Sequence, residues 1–440
     1  MLSEKHLDDI EIPANLRIND QIQRIRKACR RMGCARPFHH FAFGQSPFGP
    51  PPGVVEALRE NAHKHSYLPT AGLPELREAV AAYYQHHFSV EALPRRVVVS
   101  PGSKEMISIL LAALEGAVLV PVPSWVSYMP QARILRKEVV PIRVRADTGY
   151  KLTPEQLREG VARSKGAQSI LILNHPHNPT GAVYARAELE ALAETCRENG
   201  IVVIADEIYA LTAFDNDGFV SMGSVYPEGT IVTGGLSKDR SAGGYRLGVG
   251  VFPEGEQEVL KNVLKIAGST YSCVAAPIQY AALKGYSLDE DVEAHVRDCR
   301  AVNAIVGKEM ADLLCGVGIE TRAPGGGFYV LADWSREQEN LRSVGLTSSP
   351  DVARHVLHVE HAAMLPGTAL LLDEGAIAFR CSYVDYDGTQ ALEDWRRQPP
   401  SSAGERKEFV RRNCPLLTDG VSHLGRYLEQ VRAGRKPEHA

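Results

Sequence analysis

No stretch of the chain approaches the roughly 20 consecutive apolar residues that a membrane span requires. The longest, ISILLAALEGAVLVPVP, is broken by Glu115, Gly116 and prolines. The N-terminus, MLSEKHLDDIEIP, carries acids and no apolar run, so no secretory signal is expected. Charge of one sign is also lacking. The 49 Lys and Arg stand against 53 Asp and Glu, a formal net charge of −4, which offers nucleic acid no strong field. The eight cysteines form no C-x-x-C pair and no zinc-type spacing, so they read as reduced thiols of a cytoplasmic protein. Internal repeats are absent, and PPSSAGERK (399–407) is the one stretch that reads as low-complexity loop. Membrane, nucleic-acid and disulfide-scaffold roles are therefore not expected.

What is present is ordinary in bulk. Of the 440 residues, 44% are apolar and 23% charged, as in soluble globular proteins, and the length suits two domains built around one site. RINDQIQRIRKACRRMGCAR (17–36) is locally basic and reads as a solvated helix or arm. FGQSPFGPPPG is a turn-rich loop leading into a helix, VVEALRENAHK. From residue 96 onward, short Val- and Ile-rich runs (RVVVS, AVLVP, EVVPIRV, SILILN, IVVIADE, TIVTGG) alternate with helix-period segments such as LTPEQLREGVARS and ARAELEALAETCRENG. Strands buried on both faces and alternating with helices imply a mostly parallel α/β sheet. After about residue 290 the pattern changes to a long helix, DVEAHVRDCRAVNAIVGKEMADLL, and strands in GGGFYVLADW and AIAFRCSYVDY, which suggests a second, α+β domain.

Several segments carry chemistry. In TGGLSKDRSAGGYRLG a strand ends in glycines, followed by Ser237, Lys238 and, eight residues on, Arg246. Glycines let backbone and ligand approach closely. A desolvated lysine is a carbonyl nucleophile, and an arginine can grip a phosphate in fork geometry. IVVIADEIY delivers Asp206 at a strand end, where ligand crevices of open α/β sheets lie; a carboxylate there needs a cation, and a Mg²⁺ ligand or a helix cap would also fit. LILNHPHNPTG holds Asn174 and Asn178 in proline-fixed turns. His175 and His177 have no carboxylate or cysteine at ligand spacing, so no metal is expected. SPGSKE opens the helix MISILLAAL with Ser103 and Lys104, and free N–H groups at a helix start cradle anions. Trp125 in PSWVSY follows a strand and could stack on a flat ring, and Tyr67 lies in a turn before a helix. Arg380 ends the apolar strand AIAFR and needs an anion, either a structural acid or a substrate carboxylate.

Taken in order, YLPTAG, PSWVSY, NHPHNPTG, ADEIY, SKDRSAGGYRLG and FRCS make the chain resemble the class I/II aminotransferases of fold type I, which depend on pyridoxal 5′-phosphate (PLP), over roughly residues 40–385. The resemblance implies an α/β fold with a mostly parallel seven-stranded sheet in a large domain (46–290). The smaller α+β domain would be built from residues 291–440, with 1–45 as an N-terminal arm belonging to it. It also implies roles. Lys238 looks like the Schiff-base lysine and later the proton shuttle, and Asp206 like the partner of the pyridine N–H. Tyr209 and Asn178 resemble donors to the phenolate oxygen, and Trp125 the residue stacked on the ring. Ser103, Lys104 and Arg246 look like phosphate contacts, the first two through backbone. Tyr67 resembles the tyrosine that reaches the cofactor phosphate of a neighbouring subunit, and Arg380 the clamp on the substrate α-carboxylate, with Asn178 and Trp125 beside the substrate.

There are departures. Many relatives have serine three residues before the lysine, where this chain has Gly235; Ser237 or Thr233 are possible substitutes. The acid in SKD is similar to that of aminocyclopropane-carboxylate synthases, which eliminate from S-adenosylmethionine. The reading expected is a cytoplasmic, homodimeric aminotransferase taking an α-amino acid and a 2-oxo acid. The alternative is a PLP lyase or synthase performing β/γ-elimination or replacement, possibly on S-adenosylmethionine. A regulator that keeps this fold without turnover would need a fused DNA-binding domain, and the residues before GQSPFG are too few for one.

Overall fold

The chain forms the elements its periodicity demands. A computed structural model describes residues 5–8, 10–31, 36–166, 168–215, 218–255 and 257–438. Its strands among the described residues are β1 (His39–His40), β2 (Val97–Ser100), β3 (Ala117–Val122), β4 (Val139–Arg143), β5 (Ser169–Asn174), β6 (Val202–Asp206), β7 (Thr230–Gly235), β8 (Gly248–Val251), β9 (Tyr329–Asp333), β10 (Ala362–Ala363), β11 (Leu365–Pro366) and β12 (Ala378–Ser382). Strands β2 to β8 make one seven-stranded sheet in the order β2-β8-β7-β6-β5-β3-β4. β8 runs antiparallel to both its neighbours, and the remaining pairings are parallel.

The sheet is mostly parallel because both faces are covered by helices. In β5, Ile170 and Ile172 pack with Met106, Ile107 and Leu110 of the helix Ser103–Ala113. Leu171 and Leu173, on the opposite face, pack with Leu189 and Leu192 of the helix Arg186–Glu198. The connecting helices start where the sequence provides for it: Pro154–Arg163 has proline in its first turn and a Thr153–Gln156 capping box.

A second core lies beyond residue 296. The 27-residue helix Glu290–Gly316 contributes Val296 to the large-sheet core and Cys299, Val302, Val306 and Met310 to the second, where they meet Trp334, Phe379 and Tyr427. Phe41 and Phe48 of the N-terminal segment pack into the same second core. Its antiparallel sheet has the order β11-β12-β9, and β1 pairs in parallel with β10.

One expectation fails. Residues 399–407 are not loop throughout: a helix runs from Ala403 to Asn413, because Ser402 and Glu405 form a reciprocal capping box. The basic stretch is the helix Ala14–Arg31; its residues 32–35 lie outside the described residues. No helix among the described residues is long and apolar enough to cross a membrane.

Candidate active site

Three parallel strands end side by side. Asn174 of β5 registers with Asp206 of β6, and Asp206 with Thr233 of β7. Lys238 follows β7, Trp125 follows β3, and Ser103 and Lys104 open the helix after β2. Carboxyl ends of parallel strands are where open α/β sheets place their crevices. Here they enclose a cavity of about 420 Å³ lined by Ser103, Lys104, Trp125, Asn178, Asp206, Tyr209, Lys238 and Arg246. Arg380 adjoins it through Asn178. Tyr67 does not: it is 91% exposed, away from the cavity of its own chain.

The buried carboxylate of Asp206 defines the floor. Burial pushes its pKa up to about 6, although the Tyr128 hydroxyl donates to Oδ2 at 2.5 Å, the Ile208 N–H to Oδ1 at 3.4 Å, and the Lys238 charge also favours the ionised form. Among the described residues no cation stands within ion-pair distance of it. The Lys238 Nζ instead donates to the Gly44 carbonyl at 2.7 Å. Trp125 crosses Tyr128 edge to face, with centroids 5.0 Å apart.

At one side, cations gather without an ion-paired acid among the described residues. Among the described residues the Arg246 guanidinium donates only to carbonyls, Gly243 at 2.8 Å and Pro101 at 3.4 Å. The Lys104 amine lies 5.5 Å from the Trp125 ring, and burial together with the Arg246 charge lowers its pKa. The backbone at the helix start is packed closely. A Cβ on Gly248 would collide with the backbone of Gly102 and Ser103, so glycine alone lets β8 lie against that helix start. Gly235 is fixed likewise: a Cβ there would sit 2.6 Å from the Leu247 carbonyl oxygen, so serine does not fit this backbone. Of the two substitutes, Ser237 lines the cavity, whereas the Thr233 hydroxyl is turned to the Ala205 carbonyl at 3.4 Å.

At the other side stands Arg380. Phe379 and Cys381 of β12 enter the second core, so Arg380 between them projects from the opposite face. It donates to Asn178 Oδ1 at 3.2 Å and to the Ala42 carbonyl at 2.6 Å, and its Nε is buried without a partner. No carboxylate lies within ion-pair distance of it among the described residues. Asn178 is itself held, its N–H donating to Asn174 Oδ1 at 2.7 Å, while Asn174 Nδ2 donates to the Asp206 carbonyl at 2.8 Å.

Sequence reasoning overlooked three features of this site. Tyr128 and Tyr329 line the cavity, but in the sequence each reads as an aromatic beside a strand, with nothing to separate a ligand contact from packing. The segment 42–46 reads as mere loop, yet it bridges the site: Ala42 and Gly44 take the bonds from Arg380 and Lys238, and Ser46 Oγ meets Ser241 Oγ at 2.7 Å.

The acid of SKD has a different destination. Asp239 does not line the cavity; it pairs with Arg240 at 2.7 Å and accepts the Arg240 N–H at 2.8 Å. The Arg240 guanidinium is fully buried between the rings of Tyr83 and Tyr286, 4.4 and 4.6 Å from their centroids. The likeness to the eliminating synthases at this position is thus a buried ion pair outside the cavity lining. His175 and His177 are likewise structural. Burial lowers their pKa values to about 3 and about 4; His175 stacks on Phe219, and His177 Nδ1 bonds the Thr180 hydroxyl at 2.8 Å.

Residues 37–390 match the family described as aminotransferase class I and II. The chain is 32% identical over 355 residues to a probable aspartate/prephenate aminotransferase of Aquifex aeolicus, covering 78% of this chain and 86% of that protein. It is 29% identical over 333 residues to an aspartate aminotransferase of Bacillus sp. YM-2, covering 74% and 82%. Its fold is similar to that of the aspartate aminotransferase of Thermus thermophilus solved with maleate, with a TM-score of 0.80 at 25% identity, over 97% of this chain and 99% of that one.

Proposed function

This chain belongs to the class I and II aminotransferase family, and from that premise we propose a role for each side chain around the cavity and aspartate as the first donor to test. The protein is a PLP-dependent aminotransferase that moves an amino group from an α-amino acid to a 2-oxo acid.

The cavity fits the cofactor on physical grounds. A fully buried carboxylate whose pKa is pushed up to about 6 lacks a cation, and a protonated ring nitrogen supplies one. Lys104 and Arg246 have no ion-paired acid among the described residues, and the helix start at Ser103 adds backbone N–H groups, so a phosphate belongs between them. In this reading Asp206 keeps the ring nitrogen charged, Trp125 covers the ring face, and Tyr209 and Asn178 donate to the ring oxygen. When bound, the cofactor supplies an electron sink for the substrate Cα.

The chain's own groups do the rest. Arg380 grips the α-carboxylate of donor and acceptor in turn, because both carry it; the unpartnered Nε is the direction left open. That grip orients the Cα–H bond. Lys238 Nζ, near this centre and released from the Gly44 carbonyl, takes the proton from Cα and later returns it. The rims made by Trp125, Tyr209 and segment 42–46 keep water from the proton in transit.

Tyr67, bare on its own chain, is read as reaching the cavity of a second copy, which makes the enzyme a homodimer. The proposed domain divide is 46–290 and 291–440, with 1–45 joined to the latter; the packing of Phe41 and of the helix from Cys299 onward supports it, while Phe48 and Val296 pack across it. The cytoplasm is the proposed location.

The observation that carries the substrate class is Arg380, buried beside Asn178 in the middle of β12, not at its end as the run AIAFR suggests, with no acid to pair it among the described residues. Aspartate comes first because relatives spanning most of the chain are named for it. The test mixes holoenzyme with single amino acids and no acceptor. Transamination gives one oxo acid per site and a lasting loss of the visible absorption band. Elimination gives continuing product and returns the band, and that result would overturn the reading.

A further inference from the structure

Tyr329 is the first residue of β9, is buried and lines the cavity. It is 3.0 Å from the Tyr209 hydroxyl. The Arg380 guanidinium carbon stands 4.3 Å from its ring centroid. Gly44, whose carbonyl receives Lys238, is pressed against it so closely that a Cβ would overlap the Tyr329 hydroxyl. One side chain therefore touches both the tyrosine read as a cofactor contact and the arginine read as the carboxylate clamp.

Two hydroxyls in contact share one hydrogen bond, and the more acidic donates. Burial alone would raise both pKa values, and it raises that of Tyr209. For Tyr329 the Lys238 and Arg380 charges and the Tyr209 bond prevail over burial and hold it below the ordinary 10. The 3.0 Å contact lets either hydroxyl donate; with Tyr329 as donor, the Tyr209 proton is left free to point into the cavity. A hydroxyl that accepts one bond donates the next more strongly.

Resting on the function proposed above, we propose that Tyr329 is a positioning residue that serves both ends of the site, directing the Tyr209 hydroxyl through its own hydroxyl and seating the Arg380 guanidinium on its ring. It touches no reacting atom. Its hydroxyl governs the electronic state of the cofactor through Tyr209, and its ring governs substrate affinity through Arg380. The two effects are separable by substitution.

The experiment uses holoenzyme with Tyr329→Phe, Tyr329→Leu, Tyr209→Phe and the double phenylalanine variant. Two quantities are read: the pH midpoint of the bound cofactor's visible absorption band, and KM for amino and oxo acid. A weaker donor to an oxygen anion disfavours the deprotonated form. Tyr329→Phe should thus raise the midpoint by about 0.3 pH unit, a fraction of one charge-assisted bond, with both KM values nearly unchanged. In the Tyr209→Phe background the same substitution should shift nothing further. Tyr329→Leu should raise both KM values roughly five- to tenfold through the lost ring contact, while the reaction of an amine lacking a carboxylate should change no more than it does in Tyr329→Phe.

An unmoved midpoint in Tyr329→Phe, an equal shift in both Tyr209 backgrounds, or equal damage to amines and amino acids would each overturn the proposal. If Tyr329→Leu does not fold, the phenylalanine cycle alone decides. If instead wild-type protein shows no cofactor band, or borohydride labels a lysine other than Lys238, the functional reading fails and this inference with it.

Discussion

Replacing Asp206 with asparagine should leave the cofactor-free protein more stable and the loaded enzyme nearly inactive. Burial lifts the carboxyl from 3.8 to about 6, against the bonds from Tyr128 and Ile208 and the charge of Lys238. A carboxyl whose pKa is raised on folding stabilises fully below its unfolded value and loses that stability as pH rises through the folded one. Wild-type apoprotein therefore carries a growing penalty between about pH 4 and 6, and the full penalty above it. Asparagine cannot ionise and escapes it, while its amide oxygen can still accept the Tyr128 hydroxyl. Across the interval from about pH 5 to about pH 8, the variant's advantage should widen by about 1.4 kcal/mol. Urea unfolding of both apoproteins at the two pH values reads that difference directly. Added cofactor should reverse the order, because only the carboxylate gains a cation. Turnover of the loaded variant should fall at least roughly ten- to a hundredfold, the worth of one charge-assisted bond in a dry site. An advantage that stays flat or narrows as pH rises would refute the burial argument, and near-normal turnover would refute the role.

Lys238→Ala should fold yet take no borohydride label. In wild type, peptide mapping should find the phosphopyridoxyl group on Lys238, and a label on Lys104 would defeat the assignment. Arg380→Lys should raise KM for donor and acceptor together and leave PLP affinity intact, because a lysine keeps the charge but loses the two-pronged fit; loss of PLP would make Arg380 a structural residue instead. Asp239→Ala strands the Arg240 charge between Tyr83 and Tyr286 and should destabilise the protein by about 3–5 kcal/mol. It should not change the split between transamination and elimination, and a product analysis showing such a change would contradict the structural role given to the pair.

The residues legible in the sequence are those whose chemistry is announced by a short local context. Asp206 and Lys238 each stand where an apolar run stops, which in a parallel sheet is the crevice edge, and their strands β6 and β7 prove to be neighbours. The mostly parallel sheet is legible for the same reason: Ile170 and Leu171 are both apolar, so both faces of β5 have to be covered, whereas the count of seven strands comes only from the resemblance. What escaped depends on partners far apart in the chain. The meaning of Asp239 lies in Arg240, Tyr83 and Tyr286, so a likeness over three letters, SKD, pointed to chemistry the acid does not serve. Tyr329 looked like strand packing, and only the fold brings it to Tyr209 and Arg380. The loop reading of 399–407 was avoidable, since Ser402 and Glu405 carry the capping spacing in plain view.

The two glycines at the rim have a consequence for how the molecule tolerates change. Gly248 and Gly44 have no side chain that could react, bind or ionise, yet each occupies a place where one added carbon would strike its neighbours, the Gly102–Ser103 backbone in one case and the Tyr329 hydroxyl in the other. A complete substitution survey would score them as intolerant as Lys238, and a reader ranking positions by that score would count them among the reactive groups. The discriminating sign is the profile, not the depth. At Lys238 the loss depends on which chemistry is removed, whereas at Gly44 and Gly248 it begins at alanine and grows with volume.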